Sequence, residues 1–324
     1  MTPAEILAEF PKLRALVVGD VCLDRWCRYD PALAEPSRET GLPRIAVIRT
    51  ETTPGAAGTI ASNLVALGVG TASVLGVVGD DGFGFELEKA LARTGIRGDL
   101  LVRAAGVPTF TYTKLIRTTD GVEDLPRVDF VSVEPLSRAI EAAVIANFRA
   151  HAAEFDVILI SDQAETKTGG VVTEALREEI AKLAKAHPEK IVWVDSRLRA
   201  EHFRHVIVKP NEAEAGAASE RICGRVDYAE LRRHTASPLL IVTQGDRGVI
   251  VIDESGETRV PAATNKPPVD ICGAGDSFSA GASLALKVTG SPAEAAAFGN
   301  RVASITIMKQ GTGTASSAEI LATE

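Results

Sequence analysis

The sequence predicts an α/β protein with a mostly parallel central sheet flanked by helices and a small β-sheet standing off it. Three observations carry this. Short β-branched runs alternate with longer helical patterns along most of the chain, the rhythm of a parallel sheet covered on both faces. With 324 residues, 45% of them hydrophobic, the chain can bury one large core. Two stretches, 44–52 and 109–130, instead alternate apolar and polar residues as half-exposed strands do.

In chain order, 15–19 ("ALVVG") reads as a buried strand and 60–67 as part of a helix. A second strand follows at 73–78 and a second helix at 83–93. Later strands are expected at 157–161, 191–195, 206–209 and 239–243, with a helix at 173–186 among them. Beyond Gly275 the pattern is wholly helical, through 280–287 and 293–308. Neither 44–52 nor 109–130 is followed by a helix that would cross over to a parallel strand. They are therefore expected to form an antiparallel lid, spanning about 25–53 and 106–131 of a single domain over 1–324. The lid's exposed face needs cover, so a homodimer through the lid is expected.

Composition narrows the function classes. A net charge of −8 without a basic patch argues against nucleic acid as a partner. No apolar run reaches membrane-spanning length, and "MTPAEILAEF" carries acids where a secretory signal carries bases. Cys22, Cys27, Cys223 and Cys272 form no CxxC pair and read as reduced thiols, so a cytoplasmic location is expected. His202 and His205 have no third ligand in the sequence and read as surface or packing residues.

The chemistry concentrates in "DICGAGDSFSAG", 270–281. Gly273, Ala274 and Gly275 strip the start of a helix bare, exposing backbone N–H groups at its positive end, which suits a phosphate. Asp276 then stands where an anion would bind, which makes sense for a group that accepts a proton. Asn211 and Glu214 in "KPNEAE" are three apart at a helix start and face one direction, fitting either a metal's hydration shell or a capping interaction. Thr243, Gly245 and Gly248 lie between two strands, fitting either a hairpin turn or a bare backbone for a nucleotide. "PGAAGTIASNLVALG" again leads small residues into a helix. Cys22 and Cys272 fit small buried side chains better than reactive thiolates, although a helix N-terminus lowers a thiol pKa. Trp26 and Tyr29 fit either a ligand's apolar face or packing within the lid.

On "VVGDVCLD", "PGAAGTIASNLVALG" and "DICGAGDSFSAG", in that order and spacing, the chain resembles the ribokinase-like (PfkB) carbohydrate kinases over nearly its whole length. The resemblance implies a ribokinase-like three-layer sandwich with a β lid, and ATP-dependent phosphorylation of a sugar-like alcohol. It implies Asp276 as catalytic base, with Gly273, Ala274 and Gly275 as the anion hole. It implies nucleotide contacts at Asn211, Glu214, Thr243, Gly245, Gly248 and Asn300. Magnesium is implied near Glu214 through water, and a monovalent cation, K+, near Asp270 and the 311–314 loop. Asp24 matches the aspartate that holds sugar hydroxyls, and Asp20, Gly55, Thr59, Asn63 and Asp162 fall in the matching substrate segments.

Within the family the likeness is closest to kinases of heptose phosphate in lipopolysaccharide-precursor synthesis, carried by "GDVCLDRW", "TKLIR", "RVDF" and "SDQAETKTGG". The departures lie on the sugar side. Thr59 stands where the family has a substrate-facing asparagine, Gln163 where it has tyrosine, and Asp195-Ser196-Arg197-Leu198 where it has DPKG. Arg25, Lys114 and Arg127 are three cations assigned to the pocket or lid, which favours an anionic acceptor; pairing of Arg127 with Asp129 or Glu123 is the alternative. A simple-sugar or nucleoside kinase, and a sensor that kept the fold without turnover, are the rival readings. A dinucleotide-dependent dehydrogenase is disfavoured because no GxGxxG follows the first strand.

Overall fold

The computed structural model describes residues 1–123, 125–164, 166 and 168–322. Asp124 of the expected lid and Glu165 and Lys167 of "SDQAETKTGG" lie outside the described residues. The first half of the chain runs α1 (Pro3–Glu9), β1 (Arg14–Gly19), β2 (Val21–Tyr29), β3 (Val47–Ala56), α2 (Ala57–Ala66), β4 (Thr71–Leu75), β5 (Val77–Gly79), α3 (Gly82–Thr94), β6 (Val102–Ala104), β7 (Thr111–Arg117) and β8 (Val128–Phe130). The second half runs α4 (Arg138–His151), β9 (Val157–Asp162), α5 (Glu174–Ala186), β10 (Ile191–Ser196), β11 (Ile207–Val208), α6 (Glu212–Cys223), α7 (Tyr228–Thr235), β12 (Leu240–Thr243), β13 (Val249–Ile252), β14 (Glu257–Val260), α8 (Ala274–Thr289), α9 (Pro292–Thr306) and α10 (Ser317–Ala322).

Eight strands form the main sheet in the order β14-β13-β12-β11-β10-β9-β1-β4. The six from β12 to β4 are parallel, and β13 pairs antiparallel with both β12 and β14. Successive side chains of a strand face opposite ways, and β1 shows the result. Ala15 and Val17 enter a core against α2 and α8, while Leu16 and Val18 enter a second core against α4 and α5. Hydrophobic burial therefore holds helices on both faces, which gives the three layers. The helices start where their caps dictate: Asp81, Ser137, Thr173 and Asp227 each accept a first-turn N–H.

Two expectations are corrected here. The stretch 73–78 is not one strand: β4 ends at Leu75, and β5 leaves to pair with β6 in a two-stranded sheet. The break falls at Gly76, where a side chain would meet the Gly19 carbonyl oxygen at 2.5 Å. The small sheet is not purely antiparallel. Its order is β3-β2-β7-β8, with β2 and β7 parallel at its centre. β3 also runs directly into α2, so the connection back to the main layer is immediate. Parallel pairing is available because β2 and β7 are separated by β3, α2, β4 and α3, a long enough path for a crossover.

Candidate active site

Two clefts open outside the carboxyl ends of the main-sheet strands, where open α/β sheets place their ligands. One, of about 200 Å³, lies between the small sheet and the start of α8; Asp24, Trp26, Tyr112, Lys114, Arg127 and Thr59 form its walls. The other, of about 620 Å³, runs from Lys209, Asn211 and Glu214 past Thr243 to Asn300. Gln163, Arg197, Gly273 and Asp276 belong to both. Asp276 stands at the junction.

The start of α8 explains the small residues. Gly273 is the N-cap, left-handed at φ 77°, and offers no side chain to the first turn. A Cβ on Gly275 would stand 3.4 Å from Lys209 Nζ, so its bareness lets a buried ammonium approach the helix end. The Ala274 N–H turns back onto the Ile271 carbonyl at 3.1 Å. The Ala274 N–H is thus engaged within the turn, while Gly273 and Gly275 leave the helix start without side chains.

Burial pushes the Asp276 carboxyl up to about 8; Asp195 and Asp24 add to the rise, and Lys209 and Arg197 oppose it. A proton acceptor poised near neutrality is what general-base chemistry requires. Lys209 pairs with Asp195 at 2.7 Å, both nearly inaccessible. Burial works against the Lys209 charge, yet Asp195 and Glu214 together keep its pKa raised.

Asn211 and Glu214 make a reciprocal capping box: Asn211 Oδ1 accepts the Glu214 N–H at 2.9 Å, and Glu214 Oε2 accepts the Asn211 N–H at 2.8 Å. Both still border the larger cleft, so capping fixes their orientation there. Burial, then Asp195, raises the Glu214 pKa. The 243–248 segment is a hairpin turn between β12 and β13, and it too lines the larger cleft. Asn300 donates to the Pro261 carbonyl at 2.8 Å and borders the larger cleft.

On the small sheet, cross-strand pairing sorts the residues by face. Asp24 pairs with Tyr112, and Trp26 with Lys114, so these four line the smaller cleft. Burial raises the Asp24 carboxyl to about 6, against the pull of Lys114 and the Cys22 thiol. Gly55 contributes by its bareness, since a Cβ would meet Asp24 Oδ1 and Cys22 Sγ at 2.6 Å. Lys114 Nζ lies 4.6 Å over the Trp26 ring and 3.6 Å from Glu123. Arg127 stacks on Tyr112 at 4.4 Å and bonds Asp129 at 2.7 Å, the alternative pairing, while still bordering the cleft.

Three assigned substrate residues, Asp20, Asp162 and Asn63, lie outside the lining of the smaller cleft. Arg25 is part of that lining, while its guanidinium lies 3.2 Å from Glu86 and 4.7 Å from the Phe83 ring centre. Asp20 spends its carboxylate on the Gln163 and Val171 N–H groups, at 2.9 and 2.8 Å. Burial and then Asp162 raise its pKa to about 6. Asp162 is held by Arg199 and by the Ser196 hydroxyl at 2.6 Å. Asn63 is fully buried and donates to the Thr59 carbonyl at 3.0 Å. Asp270, assigned to a cation, accepts the Cys272 N–H at 2.9 Å and the Gly311 N–H at 3.0 Å. Burial raises the Cys22 and Cys272 thiol pKa values, which removes the thiolate reading of both. Among the described residues no three His, Cys, Asp or Glu side chains cluster as a metal site, His202 and His205 included.

Asp195, Arg197 and Lys209 were absent from the expected site. Their signal is a charged residue at the carboxyl end of an otherwise apolar strand, as in "IVWVD" and "VIVK". Such a charge is costly unless it is paired or used.

The profile of the pfkB family carbohydrate kinases matches residues 14–319. The chain belongs to the pfkB family of carbohydrate kinases. Relatives to which it is similar carry the name of heptose-phosphate kinases. A Bordetella bronchiseptica protein named D-beta-D-heptose 7-phosphate kinase is 32% identical over 98% of this chain and 97% of its own length. A Caulobacter vibrioides protein named Bifunctional protein HldE is 31% identical over 98% of this chain. The kinase chain spans 65% of that bifunctional protein. An Arabidopsis thaliana ribokinase solved with ribose and ATP superposes with a TM-score of 0.68 at 18% identity, over 96% of this chain and 98% of that one. Escherichia coli phosphofructokinase-2 solved with potassium also gives 0.68 at 18% identity, over 96% and 97%. The ribokinase fold expected from the sequence is the fold observed. No helix among the described residues is long and apolar enough to cross a membrane.

Proposed function

We propose that this kinase transfers the γ-phosphoryl group of ATP to a hydroxyl of a phosphorylated seven-carbon sugar, with Asp276 as the base. The observation that carries the reading is the position of Asp276, in the shared wall of a small polar cleft and a larger one. The larger cleft takes the nucleotide along Asn211, Glu214, Thr243, Gly245, Gly248 and Asn300. The smaller takes the sugar, with Asp24 on its hydroxyls and Lys114, Arg127 and Arg197 near its phosphate. Three cations around one small cleft fit a dianion better than a neutral sugar. The name of the Bordetella relative supplies the seven-carbon class.

In the reaction, Asp276 accepts the hydroxyl proton as the oxygen attacks phosphorus. Lys209, beneath the start of α8, and the first-turn amides offset charge on the transferring group. The donor set suits magnesium held through water: Glu214 borders the nucleotide cleft, and no all-protein cage exists among the described residues. When bound, the ion neutralises phosphate charge. A monovalent cation fits beside Asp270, whose oxygens each keep a lone pair after accepting one N–H. The small sheet acts as a lid that excludes water from the sugar cleft.

The test is ADP release over a panel of heptose 7-phosphate, hexose phosphates, unphosphorylated sugars and nucleosides, with Lys114→Ala and Arg127→Ala alongside. The expected result is a preference for phosphorylated acceptors, and KM for them raised roughly 10-fold or more in each variant, as for a lost charge-assisted contact. Equal use of neutral sugars, untouched by either substitution, would move the assignment to a simple-sugar or nucleoside kinase. Binding of ATP without any ADP release would leave a sensor.

A further inference from the structure

Trp26 touches the transfer site by a route that the sugar does not need. The chain has two tryptophans; Trp193 is fully buried in the core, whereas Trp26 lies on β2 in the sugar cleft wall. Its six-membered ring rests against Gly311, where an added Cβ would meet ring carbons Cη2 and Cζ2 at 3.1 Å. Gly311 is left-handed, at φ 74°, so both its backbone and its contact require glycine. The cleft is lined at this place by Thr312, with Gly311 behind it.

A line of contacts leads from that seat to the helix start. The Gly311 N–H donates to Asp270 Oδ2 at 3.0 Å, and Asp270 Oδ1 accepts from the Cys272 N–H at 2.9 Å. Cys272 and Gly273 lead into the first turn of α8, which carries Asp276. The Trp26 ring also lies under Lys114 Nζ at 4.6 Å. The ring therefore touches both a cation of the cleft wall and the backbone that leads to the start of α8.

We propose that Trp26 is a positioning residue: seating its ring on Gly311 couples closure of the small sheet to the geometry of the α8 start. This rests on the functional reading above. A residue that only covered the sugar would contribute equally to ground state and transition state, and its loss would raise KM alone.

The test measures ADP release with ATP and heptose 7-phosphate for the wild type, Trp26→Ala, Trp26→Phe, Gly311→Ala and the double Ala variant. Trp26→Ala is expected to lower kcat roughly 10- to 100-fold while the acceptor KM stays within about twofold, as for a misplaced reacting geometry. Trp26→Phe should recover most of kcat, and Gly311→Ala should reproduce the kcat loss. The double variant should fall no further than the worse single one, because both act through one contact. A raised KM with unchanged kcat in Trp26→Ala, or losses that multiply in the double variant, would overturn the proposal. Acrylamide quenching of tryptophan emission reads the seat without turnover: Gly311→Ala should quench more readily than the wild type, and equal quenching would also overturn it. An inactive wild type would instead remove the proposed function, and the quenching comparison would still decide the seat.

Discussion

Lys209 Nζ lies 2.7 Å from Asp195 Oδ2, across the carboxyl ends of two neighbouring parallel strands and directly beneath the bare start of α8. Neither residue is accessible to more than a sliver of solvent. A buried pair of this kind is costly to break from one side, because the survivor keeps its charge without a partner. Lys209→Met is expected to destabilise the fold by about 3–5 kcal/mol, read by urea denaturation. It also removes a cation that holds the Asp276 pKa down, so the acidic limb of the rate profile should move above about 8. Unchanged stability together with an unshifted limb would show that the pair does neither.

The raised pKa of Asp276 has a consequence for stability. Its ordinary value is 3.8 and its value in the fold is about 8, so between these the folded chain holds a proton that the unfolded chain has released. The stabilisation from this group is complete below about 3.8 and is lost as pH rises through about 8. Asp276→Asn has no proton to lose. The melting temperature of the variant, relative to the wild type, should therefore climb from pH 4 to about pH 8 and level off above it. A constant difference across that range would mean that the carboxylate ionises in the fold as it does in water.

The outer edge of the small sheet bears on assembly. Ile48 on β3 is 57% exposed, and Val47 and Val128 are also accessible, whereas Phe130 packs on Phe83 of α3 with ring centres 4.9 Å apart. Helix α3 thus covers part of a face that the sequence leaves open. We expect a second copy to cover the apolar remainder. Light scattering at micromolar concentration should give a dimer mass, and Ile48→Lys should reduce it to monomer. A monomer in the unsubstituted protein would refute the dimer.

Much of the main layer was legible because buried parallel strands are near-continuous apolar runs and their helices carry capping residues, as at Thr173 and Asp227. The central lid strand was not, because "VCLDRWCRY" mixes charge and aromatics and gains its pairing from β3 and β7, which are remote in sequence. The motif residues at α8 and α6 were found by their small side chains and spacing. Asp20 and Asp162, which lie outside the smaller cleft's lining, resemble ligand-facing residues in sequence for a shared reason. A charged residue beside a motif has the same sequence signature whether it meets ligand or, as here, a backbone amide or an arginine. Only the direction of each side chain separates these.

The central claim is that Asp276 accepts a proton from a sugar hydroxyl as that oxygen receives the γ-phosphoryl group. The most direct measurement is a single-turnover experiment with γ-labelled ATP and heptose 7-phosphate, following label into sugar and into inorganic phosphate. The wild type should place the label on the sugar. Asp276→Asn should bind ATP with little change and transfer at a rate lower by roughly 10²-fold or more, the usual scale of general-base loss. Transfer by Asp276→Asn at near the wild-type rate, or wild-type label passing to water with the sugar untouched, would contradict the account.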